Sequence, residues 1–191
     1  DINPALKASR NPEQIVNANG ILFFIANDGV NGKQLWKSNG LTGNASLVEI
    51  IRPGAFNALG KLTAVDERVF FQANDGTHGI ELWVSNGTAE GTYMVKDLTP
   101  GPGSNVAYAT DHLSYLRASN GRLYFLGLAT FYQDLWVSDG TEEGTIPLTF
   151  ENNVGFAWQD HGAFPYNGET FFAGIGNSEN VSLELWKTDG T

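Results

Sequence analysis

A repeated tryptophan constrains this chain more than any other feature. Four stretches align in order along it: ILFFIANDGVNGKQLWKSNG, RVFFQANDGTHGIELWVSNG, RLYFLGLATFYQDLWVSDG and ETFFAGIGNSENVSLELWKTDG. Their tryptophans, Trp36, Trp83, Trp136 and Trp186, lie 47, 53 and 50 residues apart. The aromatics that close each preceding apolar run (Phe24, Phe71, Phe125 and Phe172) keep nearly the same period. Self-similarity of this kind marks a repeat architecture, in which each unit buries its apolar surface against its neighbours.

Within a unit the pattern is that of short strands. In the second repeat, runs at 61–65, 69–74, 80–85 and 92–98 are rich in β-branched and aromatic residues, as strands are. Asp66-Glu67, a Gly-rich loop at 75–79 and a turn at 86–91 separate them. Asn-Gly and Asp-Gly pairs supply the positive φ that tight hairpins need. No helical i, i+3, i+4 apolar stripe of useful length is present. Four antiparallel strands per unit at this period predict an all-β chain, a β-propeller of about four blades. The units fall at about 13–51, 59–98, 113–150 and 162–191, with 1–12 the tail of a preceding unit. In that register the fourth blade lacks its outer strand, which leaves a sticky edge for another chain or a flanking repeat to complete. A closed ring of four is the simplest geometry, and a larger ring is the alternative. Because strand side chains alternate, Leu82 faces away from Glu81 and Trp83. The repeated tryptophans are therefore expected to pack blade against blade.

The repeated Glu-Leu-Trp-x-Ser-Asp-Gly-Thr stretch stands as ELWVSNGTAEGT from Glu81, DLWVSDGTEEGT from Asp134 and ELWKTDGT from Glu184, and departs to QLWKSNGLTGN from Gln34. With the FFxANDGxxG and VKDLTPGPGS segments around it, it resembles the ELWxxDGT repeat of large secreted or surface proteins of bacteria. The resemblance covers nearly the whole chain. It implies a propeller-like extracellular module, and it implies no single activity. The turn also resembles the Asp-box hairpins of sialidase-type propellers, so Asp139, Asp189, Thr88 and Thr141 read as turn chemistry. One Asp per turn is too few for a calcium loop, which needs several oxygen ligands at alternate positions.

Composition narrows the function classes. The formal charge of −10 in 191 residues argues against a nucleic-acid partner, which needs a concentrated basic surface. The absence of cysteine removes disulfides, thiolate zinc sites and cysteine nucleophiles. No apolar run is long enough for a membrane-spanning helix. The 23 glycines follow no Gly-X-Y period and read as hairpin chemistry.

Propeller ligands usually sit at the end of the ring where the d-to-a and b-to-c loops gather (a fold-level analogy). Two loops there depart from the repeat. Residues 100–112 hold Tyr108, Asp111 and His112; residues 151–161 hold Phe156, Trp158, Asp160 and His161. Aromatic faces beside carboxylates and amides suit a sugar, although Trp158 and Phe156 would equally serve as an apolar plug. His78 lies in a b-to-c loop at the same end. The three histidines come from different junctions, so they read as solvated rather than as a zinc site. Asp111 and Asp160 are the only acids to nominate for glycoside chemistry, with His112 and His161 beside them. No nucleophile elbow, zinc-protease or phosphate-loop motif occurs, and no cofactor is implied. The residues before Leu-Trp (Gln34, Glu81, Asp134, Glu184) read as ties between strands. The sequons at Asn44, Asn86 and Asn180 read as turn chemistry. The expectation is an extracellular, non-enzymatic module for binding, adhesion or surface assembly, with a glycan or protein ligand. A secreted polysaccharide hydrolase or lyase is one alternative, and a structural repeat that assembles by strand sharing is another.

Overall fold

Each repeat folds as an antiparallel meander, because its alternating runs are separated by turns too short for any other connection. The computed structural model describes residues 12–54, 59–98, 100, 114–128, 133–148, 164–175 and 183–190. The first sheet comprises β1 (Glu13–Ala18), β2 (Ile21–Asn27), β3 (Lys33–Ser38) and β4 (Ser46–Glu49). The second comprises β5 (Leu59–Val65), β6 (Arg68–Asn74), β7 (Ile80–Ser85) and β8 (Thr92–Lys96). The third comprises β9 (Ser114–Ser119), β10 (Arg122–Leu128), β11 (Gln133–Ser138) and β12 (Ile146–Pro147). Among the described residues the fourth has three strands, β13 (Phe164–Tyr166), β14 (Glu169–Ile175) and β15 (Leu183–Thr188). All neighbours pair in sequence order, so the chain is an all-β protein of four propeller blades. It divides into two compact units, Asp1–Tyr108 and Ala109–Thr191, each holding two sheets.

Three of the first hairpin turns have positive φ at both central residues, Asn19-Gly20, Asn120-Gly121 and Asn167-Gly168. That is the type I′ geometry which matches strand twist. In every sheet the repeated tryptophan lies directly opposite the repeated phenylalanine: Phe24 with Trp36, Phe71 with Trp83, Phe125 with Trp136, Phe172 with Trp186. Two residues on from each phenylalanine stands Ala26, Ala73, Gly127 or Gly174. At Gly127 an added Cβ would come within 3.1 Å of the Trp136 ring, so the indole needs a small neighbour there.

In the first unit, Val69, Phe71, Ala73 and Trp83 of the second sheet pack on Phe23, Ile25, Leu35 and Val48 of the first. In the second unit, Phe172 and Trp186 pack on Tyr124, Leu126, Leu135, Val137 and Leu148. The rule is the same in both: the Trp-bearing face of one sheet lies on the Leu-bearing face of the sheet before it. The predicted blade-to-blade role therefore holds for Trp83 and Trp186. Trp36 packs with Phe24, Ala26, Ala45 and Leu47 of its own sheet, and Trp136 stacks on Phe125 with ring centroids 6.2 Å apart.

In the second sheet the strand limits differ from expectation most at the two ends, each with a local cause. β5 begins at Leu59 rather than 61, because a bulge between Gly60 and Thr63, with Lys61 at positive φ, lets the pairing continue. β8 ends at Lys96 rather than 98, where the Leu98 N–H turns to the Glu81 side chain. β12 is only two residues long, and Pro147 brings no N–H to the ladder.

Candidate functional site

The signature turn is built from its own side chains. In the second sheet the Thr88 N–H and hydroxyl both donate to Asn86 Oδ1, at 2.9 and 2.8 Å. Gly91 N–H donates to Thr88 Oγ1 and Thr92 Oγ1 to the Thr88 carbonyl. Ser85 Oγ meets Thr92 Oγ1 at 2.7 Å. The third sheet repeats every one of these bonds through Ser138, Asp139, Thr141, Gly144 and Thr145. The last glycine of the motif is required by space, not by φ: a Cβ on Gly91 or Gly144 would overlap the Asn86 or Asp139 side chain. In the first sheet Leu41 replaces the threonine. Only the bonds to Ser38 Oγ and Asn39 Oδ1 remain, and Asn44 N–H closes the turn on the Leu41 carbonyl.

The residue before Leu-Trp is also occupied with backbone. Buried Gln34 accepts the Ile51 N–H and donates to the carbonyls of Asn31 and Arg52. Buried Glu81 accepts the Leu98 N–H at 2.9 Å. Both tie the third strand of the blade to the chain leaving its fourth. The side chains of Asp134 and Glu184 lie outside the described residues.

His78 sits where expected, in the b-to-c loop of the second sheet. Its Nδ1 is 2.7 Å from Asp75 Oδ2, and Asp75 Oδ1 takes the N–H groups of Thr77 and His78. The bond to Asp75 raises the His78 pKa; partial desolvation opposes it, and the charges of Asp75, Asp97 and Glu81 add to the rise. Burial pushes the Asp75 carboxyl up, but the bonds from His78 and Thr77 outweigh it and leave the group below its usual range. Asp28 in the first sheet is held down the same way by Val30 and Asn31. This is a loop closed on itself. Among the described residues no three His, Cys, Asp or Glu side chains are placed to hold a metal ion. Tyr108, Asp111, His112, Phe156, Trp158, Asp160 and His161 lie outside the described residues.

A site that the sequence reading did not single out lies at the opposite end of the blades, in the seam between the first two sheets. A cleft of about 470 Å³ is lined by Ile21, Lys37, Asn39, Asn44, Ser46 and Asn86 among others. Lys37 Nζ reaches across the seam to the Gly87 carbonyl at 2.6 Å, keeping two further N–H groups. The Asn86 and Asn39 carbonyl oxygens are spent on their own turns, so each leaves an amide NH₂. The lining is thus rich in donors within a strongly acidic chain. Its sequence signal is the irregular turn KSNGLTGNAS, where the first repeat leaves the consensus.

No protein-family model matches the chain, and no curated protein matches it. Among solved structures it is similar to the computationally designed Ika4 protein, at 14% identity over 97% of this chain and 96% of that one, with a TM-score of 0.44. It is similar to the β-propeller domain of the Trilobed protease from Pyrococcus furiosus, at 13% identity over 95% and 69%, TM-score 0.38. It is also similar to an α-L-arabinofuranosidase from Clostridium thermocellum, at 14% identity over 97% and 70%, TM-score 0.37.

Proposed function

We propose that this chain is a non-catalytic binding module of an extracellular or surface protein of the ELWxxDGT-repeat kind, and that it holds a glycan in the seam cleft between its first two sheets. The donor-rich lining supports this reading. Lys37 and the amides of Asn39, Asn44 and Asn86 meet ligand acceptors, which sugar hydroxyls and ring carboxylates supply, and the cleft volume lies in the range of small-ligand sites. Of the buried and loop acids, Glu81 holds the Leu98 N–H and Asp75 the N–H groups of Thr77 and His78, which leaves recognition to the donors of the cleft.

A glycan array carrying neutral and uronic-acid glycans tests the reading, followed by titration of Asn44→Ala. Asn44 closes its turn through backbone, so the variant keeps the fold. Binding should weaken by about tenfold, as for loss of one good polar contact. Hits that Trp158→Ala abolishes and Asn44→Ala leaves untouched would move the ligand to the opposite end of the blades. An array with no hits refutes glycan binding.

A further inference from the structure

One leucine breaks the pattern of burial. The residue before each repeated tryptophan is Leu35 (0% exposed), Leu82 (0%), Leu135 (6%) and Leu185 (76%). Register places Leu185 on one face of the fourth sheet with Phe164, Tyr166, Glu169, Phe171 and Lys187. Phe164 and Tyr166 on that face are 62% and 66% exposed. In the first and third sheets the corresponding face is covered by the sheet that follows.

The covered faces show what such a face receives. Each holds an aromatic against the glycine of the incoming sheet's Asn-Gly or Asp-Gly turn, and a cation on that glycine's carbonyl. In the first unit these are Phe23 and Lys37 on Gly87; in the second they are Tyr124 and Arg122 on Gly190. The fourth sheet carries the same pair in the same register, Phe171 opposite Lys187, as Phe23 lies opposite Lys37. Lys187 Nζ currently rests on Glu169 at 2.6 Å. The incoming half is also present. The Asn39-Gly40 turn of the first sheet has the same positive φ at its glycine, yet a Cβ at Gly40 would meet nothing within 4 Å. Leu41 beside it is 65% exposed.

We infer that the open face of the fourth sheet docks the first-sheet turn of a second copy of this chain, with Leu185 and Phe171 against Gly40 and Leu41 and with Lys187 on the Gly40 carbonyl. The two surfaces differ, so the contact is head-to-tail and propagates or closes as its rotation allows. Strands of three, seven and six residues offer a face of roughly 250 Å², well under the roughly 800 Å² per partner of a stable complex. Association is therefore weak and concentration-dependent. The docked turn borders the glycan cleft, but Leu185 and Lys187 lie outside the cleft, so their variants test this contact apart from the glycan reading.

Sedimentation velocity of the full chain across a dilution series tests the inference, with Leu185→Glu and Lys187→Glu alongside. Both residues are exposed, and circular dichroism checks the fold. Wild type should associate as concentration rises, and either variant should raise the half-association concentration by about tenfold or more. Since the chain has no cysteine, Leu185→Cys alone reports exposure by thiol labelling, and labelling should slow as concentration rises. The double variant Leu41→Cys/Leu185→Cys should form disulfides between chains. A strict monomer with fast, concentration-independent labelling overturns the inference. So does association that both charge variants leave unchanged, and so do disulfides formed solely within one chain.

Discussion

His78 and Asp75 illustrate how much of this chain's polar chemistry is spent within a few residues. The histidine is bound to the carboxylate three positions before it, and the same carboxylate caps two loop N–H groups. Folding raises the His78 pKa above its ordinary 6.5 and lowers that of Asp75 below 3.8. The signs then follow from linkage. His78 contributes fully below its unfolded value and loses that contribution as pH climbs through its raised folded value. Asp75 contributes above its unfolded value and loses it as pH falls through its lowered one. Thermal unfolding of wild type and His78→Gln should therefore differ most at roughly pH 5–6 and converge at high pH. A gap that widens above neutrality contradicts the assignment. The glycines that end the signature turns make a second point at this scale. Gly91 and Gly144 are held by the volume of Asn86 and Asp139, so a twelve-residue motif conceals a steric requirement that only the folded turn reveals.

The hairpin is the element at which sequence and structure correspond most closely. β7 occupies the predicted interval of residues 80–85, because an alternating run between two glycine-bearing turns leaves one way to pair. The bulges were not legible. Gln14 and Lys61 adopt positive φ, Lys61 at a position that reads as ordinary strand, and only the fold shows why: Gln14 Oε1 accepts the Leu62 N–H of the next sheet at 3.0 Å. The seam cleft was half legible. Its turn visibly departs from the repeat, but repetition directs attention to the long loops and says nothing of which turn faces a neighbour. Restoring the consensus tests the cost of that departure. Leu41→Thr/Asn44→Gly/Ala45→Thr supplies the hydroxyls and the glycine that Thr88, Gly91 and Thr92 provide in the second sheet. Urea unfolding should show a gain of about 1–3 kcal/mol, from hydrogen bonds worth about 0.5–1.5 kcal/mol each. The same variant should lose glycan affinity with Asn44. A destabilised variant would mean that the irregular turn is itself the better fit to this seam.

At the scale of the molecule, charge and assembly oppose each other. Each copy carries −10, so two copies repel over distances beyond a Debye length of about 8 Å at physiological salt. The contact inferred at Lys187 is a short-range bond to a carbonyl and is little screened. Raising sodium chloride from about 20 to 500 mM, across which the Debye length shrinks severalfold, should therefore strengthen self-association. Weakening with salt would identify a contact made of paired charges instead. The seams carry a consequence for how such a chain can change. The signature turns of the second and third sheets close their side-chain bonds within a single repeat, whereas the cation that seats the next turn comes from the third strand at Lys37 and from the second strand at Arg122. A duplicated repeat thus arrives able to form its own hairpins. What it must acquire afterwards is a single long basic side chain at either of two positions, a small enough requirement for repeat number to drift while the blade stays the same.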